Sequence, residues 1–260
     1  MQPVCVEMNR MKAGRVGYGF LVQLGLLALM VTPAAGFDWL PGRYSPRDRE
    51  RPQRLRTDYV ILHTTEGPGA GSYRKLFNNG EAHFMVDRNG RVYKIIRKEK
   101  VAYHCGVSMW NGRRNIDNYS IGIEVVGYHN GTITEAQYAT LRKLLTQLQR
   151  LYGIPDERVL AHCQVAYGEP NKWHRWPHRG RKRCGLLFTQ PSVRNRLGLY
   201  RRALYDPDVA AGRLVVGDPY LAEKVYGERP VRPPSGASAA PSKASASRPG
   251  QRLAPSTRQR

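Results

Sequence analysis

The chain has 260 residues, and its 42 Lys and Arg outnumber 20 Asp and Glu for a formal net charge of +22. That length bounds one medium domain or two small ones, and the charge points to an anionic partner approached by long-range steering. No internal repeat is present, which excludes a solenoid or propeller array.

The first 36 residues read as an export signal. Arg10, Lys12 and Arg15 form a basic start, GFLVQLGLLALMV supplies a short apolar run, and TPAAG offers small residues for cleavage near Ala34 or Gly36. The run is short of the roughly 20 residues that span a bilayer, so export to a periplasmic or secreted location is expected, with an uncleaved N-terminal anchor as the alternative. Export argues against nucleic acid as the anionic partner, and no nucleic-acid motif is found. A Pro/Arg-rich basic lead-in covers residues 37–54.

From there one domain, residues 55–228, is expected. DYVILH reads as a buried strand running into the Gly-rich loop HTTEGPGAG, and SYRKLFNN as a brief helix. AHFMVDRNGRVYKII has the form of a hairpin turning at Asp87–Gly90. VAYHCGVSMWNGRRNIDN is irregular, and SIGIEVVGY returns to a strand. TEAQYATLRKLLTQLQRLYG is the clearest helix. Thr134 and Gln137 are spaced as a capping box, Tyr138, Leu141, Leu144, Leu145, Leu148 and Leu151 form an apolar stripe, and Gly153 with Pro155 ends it. RVLAH is a further short strand, followed by a long irregular loop to Cys184 and by helical segments near 193–204 and 220–226. Strands interleaved with helices predict an α/β fold, a mixed β-sheet flanked by helices. Residues 229–260 are Pro, Ser, Ala and basic residues with almost nothing to bury; this tail is expected to be disordered, and to hold loosely to anionic envelope material or to serve as a solvated linker.

His63 in VILHTT and His162 in VLAH fall at the C-terminal ends of strands, where loops build sites. Cys184 stands next to last in HRGRKRCG, and the three arginines and a lysine of that stretch form a setting that favours thiolate. Two histidines and a cysteine with an open fourth position are the donors of a catalytic Zn²⁺. His174 and His178 stand as alternatives to Cys184. Removal of the signal leaves Cys105, Cys163 and Cys184, an odd number, so at least one thiol is unpaired within the monomer. Cys163 adjoins His162 on the expected strand and points to the other face; it is a buried thiol or a partner for Cys105.

HTTEG, AHFMVDRNGRVYKII, AYHCG, NYSIGIEVVG and GRKRCG, in that order, resemble the zinc-dependent N-acetylmuramoyl-L-alanine amidases, which share their fold with the peptidoglycan recognition proteins. The resemblance covers about residues 55–190. It implies hydrolysis of the amide joining N-acetylmuramic acid to L-alanine of the peptidoglycan stem peptide, with peptidoglycan or a muropeptide as substrate and Zn²⁺ as cofactor. By it, His63, His162 and Cys184 are the metal ligands, Glu124 activates water, and Lys182, two residues before the third ligand, stabilises the oxyanion. His104 and Trp110 are candidates for the muropeptide groove on the same ground. Here the stretch NKWHRWPHRG is an insertion relative to shorter members, and Trp173 and Trp176 within it are candidates for sugar contact. The alternative reading is a recognition module that holds muropeptides without cutting; the joint presence of His63, His162, Cys184, Glu124 and Lys182 favours the enzyme.

Overall fold

A computed structural model describes residues 44–203 and 205–227. The expected signal segment, the first residues of the lead-in and the whole basic tail lie outside the described residues. Among those described, no helix is long and apolar enough to cross a membrane.

In chain order the elements are β1 (Tyr59–Thr64), α1 (Gly69–Asn79), β2 (Phe84–Val86), β3 (Val92–Lys94), β4 (Met109–Trp110), β5 (Arg113–Arg114), β6 (Ser120–Val125), α2 (Glu135–Tyr152), β7 (Val159–Ala161), α3 (His162–Val165), β8 (Tyr167–Gly168), β9 (His178–Arg179), α4 (Pro191–Arg196), α5 (Pro207–Ala210), β10 (Val215–Val216) and α6 (Pro219–Tyr226). Five strands make the central sheet in the order β3-β2-β6-β1-β7. Four of them run parallel and β3 is antiparallel to β2, so the sheet is mixed and flanked by helices. The β2–β3 hairpin turns at Asp87, whose Oδ1 accepts from the backbone N–H of Asn89 and of Arg91, both at 2.9 Å. Gly90 is left-handed at φ +80, and a Cβ there would stand 2.7 Å from the Ala136 carbonyl.

The two-residue period of a strand divides this sheet chemically. Val60, Leu62, Ile121, Ile123 and Val125 face the α2 side and join Leu141, Leu144, Leu145 and Leu148 in the main core. Tyr59, Ile61 and Leu160 face the other way, with Cys105, Trp110 and Ile116. On that second face β6 presents Ser120, Gly122 and Glu124, and β1 ends in His63. The sheet is therefore apolar toward α2 and polar at one end of its opposite face.

The helix α2 begins and ends as its sequence predicts. Thr134 Oγ1 accepts from the Gln137 N–H at 3.1 Å, Gln137 Oε1 accepts from the Thr134 N–H at 2.9 Å, and Gly153 closes the helix at φ 65. The stripe, however, ends at Leu148. Leu151 is 58% exposed: at about 100° per residue it falls off the edge of the buried arc, and Tyr152 takes the inward place.

Two segments with little signal in the sequence are bound to the rest of the domain. The lead-in is bound to the domain through Arg54, which donates to the carbonyls of Lys100 at 2.7 Å, Ser120 at 3.1 Å and Lys98. Residues 199–227, read only as weak helices, grip the loop before Cys184. Arg179 on β9 is buried and pairs with Asp206 at 2.6 Å and Asp208 at 3.3 Å, β10 pairs with β9, and Arg183 pairs with Asp218 at 3.0 Å. Cys105, Cys163 and Cys184 are all free; Cys163 lies in the main core, on a turn of α3 rather than on a strand.

Removing one partner of a buried pair leaves the other charge uncompensated, at a cost of about 3–5 kcal/mol. Asp206→Ala, which removes the closer of the two carboxylates on Arg179 and leaves only Asp208 at 3.3 Å, is expected to lower stability by up to about that amount in urea unfolding, while Arg201→Ala, on an exposed pair with Glu157, changes it by less than about 1 kcal/mol.

Candidate metal centre

The site forms where β1, β6 and β7 end together. The parallel register sets His63 opposite Glu124, and Leu62 opposite Ala161, so that His162, the first residue of α3, emerges beside His63. Their rings are 4.4 Å apart between centroids. Cys184 reaches the same place from the far side: its Sγ lies 3.4 Å from the Thr64 amide and 3.7 Å from His63 Nδ1. The backbone after it crosses the end of β1 so closely that only glycine fits. Gly185 adopts φ +78, and a Cβ would stand 2.5 Å from the Leu62 carbonyl oxygen.

Hydrogen bonds turn both rings so that one nitrogen of each faces inward. His162 Nε2 lies 3.0 Å from the Cys105 carbonyl and donates to it, which leaves Nδ1 unprotonated, buried and without a partner. His63 Nε2 lies 3.0 Å from His104 Nδ1, and His104 Nε2 lies 3.2 Å from Ser120 Oγ, which donates onward to the Ile116 carbonyl at 2.7 Å. The network is consistent when each ring donates outward, so His63 Nδ1 is left as an acceptor toward Cys184 and Glu124. Such outward bonds to carbonyls and side chains are what orient histidine ligands on a metal. Glu124 completes the cluster, with Oε1 3.7 Å from His63 Nδ1 and Oε2 buried without a partner.

Burial governs the protonation of these groups. It holds His63 well below the usual imidazole range and takes His162 to about 4, with the nearby Lys182 and Arg181 adding to the second shift. It pushes the Glu124 carboxyl up to about 8. Burial likewise pushes the Cys184 thiol well above its usual range, with Glu124 contributing. The basic neighbours expected to favour thiolate do not decide the matter, because Arg181, Lys182 and Arg183 are exposed while the sulfur is not. What favours thiolate in such a setting is a cation at the sulfur itself.

The three donors fit a metal ion. Their ligand atoms lie within 4.8 Å of one another, and tetrahedral Zn–N and Zn–S bonds would set a nitrogen and a sulfur about 3.5 Å apart, close to the 3.7 Å between His63 Nδ1 and Cys184 Sγ. The Nδ1 of His162 is buried with no hydrogen-bond partner, as a metal-ligating nitrogen would be before the ion binds. A second cluster, His63, His104 and Cys105, is also compact. Its donors are already engaged with one another, His104 Nδ1 lying 3.0 Å from His63 Nε2 and 3.1 Å from Cys105 Sγ, and all three are buried.

The chain matches the family model for N-acetylmuramoyl-L-alanine amidases over residues 53–184. The chain belongs to that family. The 1,6-anhydro-N-acetylmuramyl-L-alanine amidase AmpD of Haemophilus influenzae is 34% identical over 86 residues, covering 33% of this chain and 47% of that protein. The Escherichia coli AmpD is 33% identical over 85 residues, covering 33% and 46%, and a probable N-acetylmuramoyl-L-alanine amidase of Bacillus licheniformis is 30% identical over 133 residues, covering 45% and 37%. The chain thus spans about half the length of the curated relatives it matches.

Other expected site residues are placed differently. Lys182 is exposed on the loop before Cys184. His104 and Trp110 are both buried: His104 stands behind His63, and Trp110 packs in the second core with Tyr59 and Ile61. His174 and His178 stack on each other at 3.9 Å and belong to neither compact group of donors. Trp173 and Trp176 are on the surface. The supporting roles of Ser120 and Gly122 escaped the sequence reading, although SIGIE carries the signal: its alternate positions are small on the face where His104 must fit. A Cβ on Gly122 would stand 2.4 Å from the His104 ring.

His104→Phe keeps a ring in this space but cannot accept from His63. It is expected to weaken binding of a divalent metal by about 10–100-fold, measured by competition with a chromophoric chelator.

Proposed function

We propose that this chain is an exported, zinc-dependent N-acetylmuramoyl-L-alanine amidase that cleaves the amide between N-acetylmuramic acid and L-alanine of the peptidoglycan stem peptide. Membership of the amidase family supports the reaction. The observation that carries it to chemistry is the convergence of His63, His162 and Cys184 beside a buried carboxylate oxygen of Glu124 that has no other partner. Export rests on the N-terminal segment.

His63 Nδ1, His162 Nδ1 and Cys184 Sγ would hold the metal. When bound, zinc supplies Lewis acidity that polarises the amide carbonyl and makes a water acidic enough to react near neutral pH. Glu124 acts at its free Oε2, taking a proton from the attacking water and delivering it to the departing L-alanine nitrogen. A base with a pKa near the working pH does this best; burial raises the Glu124 carboxyl above the ordinary carboxylate range, and a bound cation beside it would oppose that rise and keep it ionisable. Lys182 donates to the oxyanion as the carbonyl carbon becomes tetrahedral. His104 and Ser120 touch no reacting atom; they hold His63 with Nδ1 inward.

The test is the full chain, loaded with zinc and incubated with purified peptidoglycan, with released peptides read by mass spectrometry. Stems beginning in free L-alanine are expected. Glu124→Gln should lower their rate of release by about 10²–10⁴-fold while bound zinc stays equal to wild type. Cys184→Ser should lose zinc and activity together, whereas His174→Ala keeps its zinc. Zinc-loaded wild type that binds the wall and releases nothing would move the assignment to a recognition module.

A further inference from the structure

Between β8 and β9 the chain makes a loop, residues 169–177, that the metal cluster does not use. It exposes two indoles: Trp173 is 79% and Trp176 is 38% accessible. Exposed aromatic groups gathered with cationic ones mark binding surfaces rather than ordinary loops, and Lys172, Arg175, Arg181, Lys182 and Arg183 are all exposed on the same stretch of chain. Trp176 and Arg175 line, with Pro170 and Asn171, an open, shallow depression of the surface.

The loop is held in shape by its own contacts. Asn171 Oδ1 accepts from the Trp173 N–H at 2.8 Å and the His174 N–H at 3.1 Å, and the Asn171 N–H donates to the His174 carbonyl at 2.8 Å. His174 stacks on His178 at 3.9 Å. The His178 ring in turn lies between two glycines, for a Cβ on Gly168 would stand 2.5 Å from it and one on Gly217 would stand 2.6 Å away. Its Nδ1 is 3.1 Å from the Trp176 carbonyl. This pillar of two imidazoles raises the loop while the indoles remain outside it. The Lys172 ammonium sits 4.8 Å from the Trp173 ring, setting a cation beside the aromatic face. A shape fixed before binding reduces the entropy lost on binding.

We infer that this loop is a subsite for the polymeric glycan of peptidoglycan, so that the preferred substrate is wall material carrying further sugars and stem peptides rather than a single muropeptide. The inference rests on the amidase reading above. Trp173 and Trp176 stack on the apolar faces of N-acetylated sugar rings, and Arg175 and Lys172 meet the carboxylates of neighbouring stem peptides. Continuity selects this occupant. β8 begins five positions after His162 and β9 ends five positions before Cys184, so both stems of the loop lie within about 18 Å of a metal ligand even at full extension, and a polymer held at the metal can continue toward it. The depression mixes an amide, a guanidinium and an indole, the composition of a polar ligand site.

The experiment compares wild type with the Trp173→Ala/Trp176→Ala double variant of the full zinc-loaded chain on two substrates, insoluble peptidoglycan and a soluble muramyl tripeptide. The variant is expected to lose about tenfold or more in kcat/KM on the polymer, a factor equivalent to ~1.4 kcal/mol. On the soluble substrate it should match wild type, which also shows that its site is intact. Equal rates on the polymer would overturn the inference. So would binding of wild type to phosphatidylglycerol vesicles that the variant loses with polymer cleavage unchanged, which would assign the indoles to a lipid surface. Wild type inactive on both substrates would refute the amidase reading, and the loop would then be tested by cosedimentation with peptidoglycan at high salt, where stacking persists and charge attraction is screened. Equal sedimentation of the two proteins would reject the subsite there as well.

Discussion

The site depends on one register. Parallel pairing of β1 with β6 sets His63 against Glu124, and pairing of β1 with β7 brings His162 out at the same level. Side chains on a strand alternate faces, so a slip of one residue on either side would send a donor into the α2 core and an aliphatic group into the site. The register is enforced by the face away from the chemistry, where Val60, Leu62, Ile121, Ile123 and Val125 are fully buried against α2. Each of these side chains contributes on the order of 1.5–3 kcal/mol by leaving water. Hydrophobic packing on one side of the sheet thus holds the coordinates of polar atoms on the other.

Those polar atoms are arranged against their own solvation. Unpaired polar groups are costly in an interior, yet His162 Nδ1 and Glu124 Oε2 are both buried without partners. Every outer nitrogen of the same rings is, by contrast, satisfied: by the Cys105 carbonyl, by His104, and through it by Ser120. A fold that pairs the outward atoms and leaves the inward ones open keeps its unsatisfied valence in one small volume, where a cation and a polar substrate can use it.

Much of this was legible in the sequence, for identifiable reasons. The α2 boundaries were readable because capping is local chemistry between Thr134 and Gln137. The β2–β3 turn was readable because Asp87 and Gly90 carry its conformation. His63 and His162 stood at visible strand ends. Burial was not readable, because it is a property of the whole packing: the basic run around Cys184 suggested an acidic thiol, but Arg181, Lys182 and Arg183 turn to solvent, Arg179 is spent on aspartates, and the sulfur turns in. Trp110 followed the same logic. An indole in an irregular stretch suggests a binding surface, yet contacts with Tyr59 and Leu160, remote in sequence, draw it into the core. The attachments of Arg54 and of residues 199–227 were hidden because each is a set of long-range polar contacts with no periodicity to announce it.

The grip of residues 205–227 on the β8–β9 region has a consequence for modularity. The family match ends at Cys184, but the loop that delivers this residue is tied by Arg179 and Arg183 to aspartates that come later in the chain. The recognisable unit and the mechanical unit therefore have different ends. Shuffling this domain at the homology boundary, in a genome or in a fusion protein, would carry away the donors and leave behind the counter-charges that keep them in place.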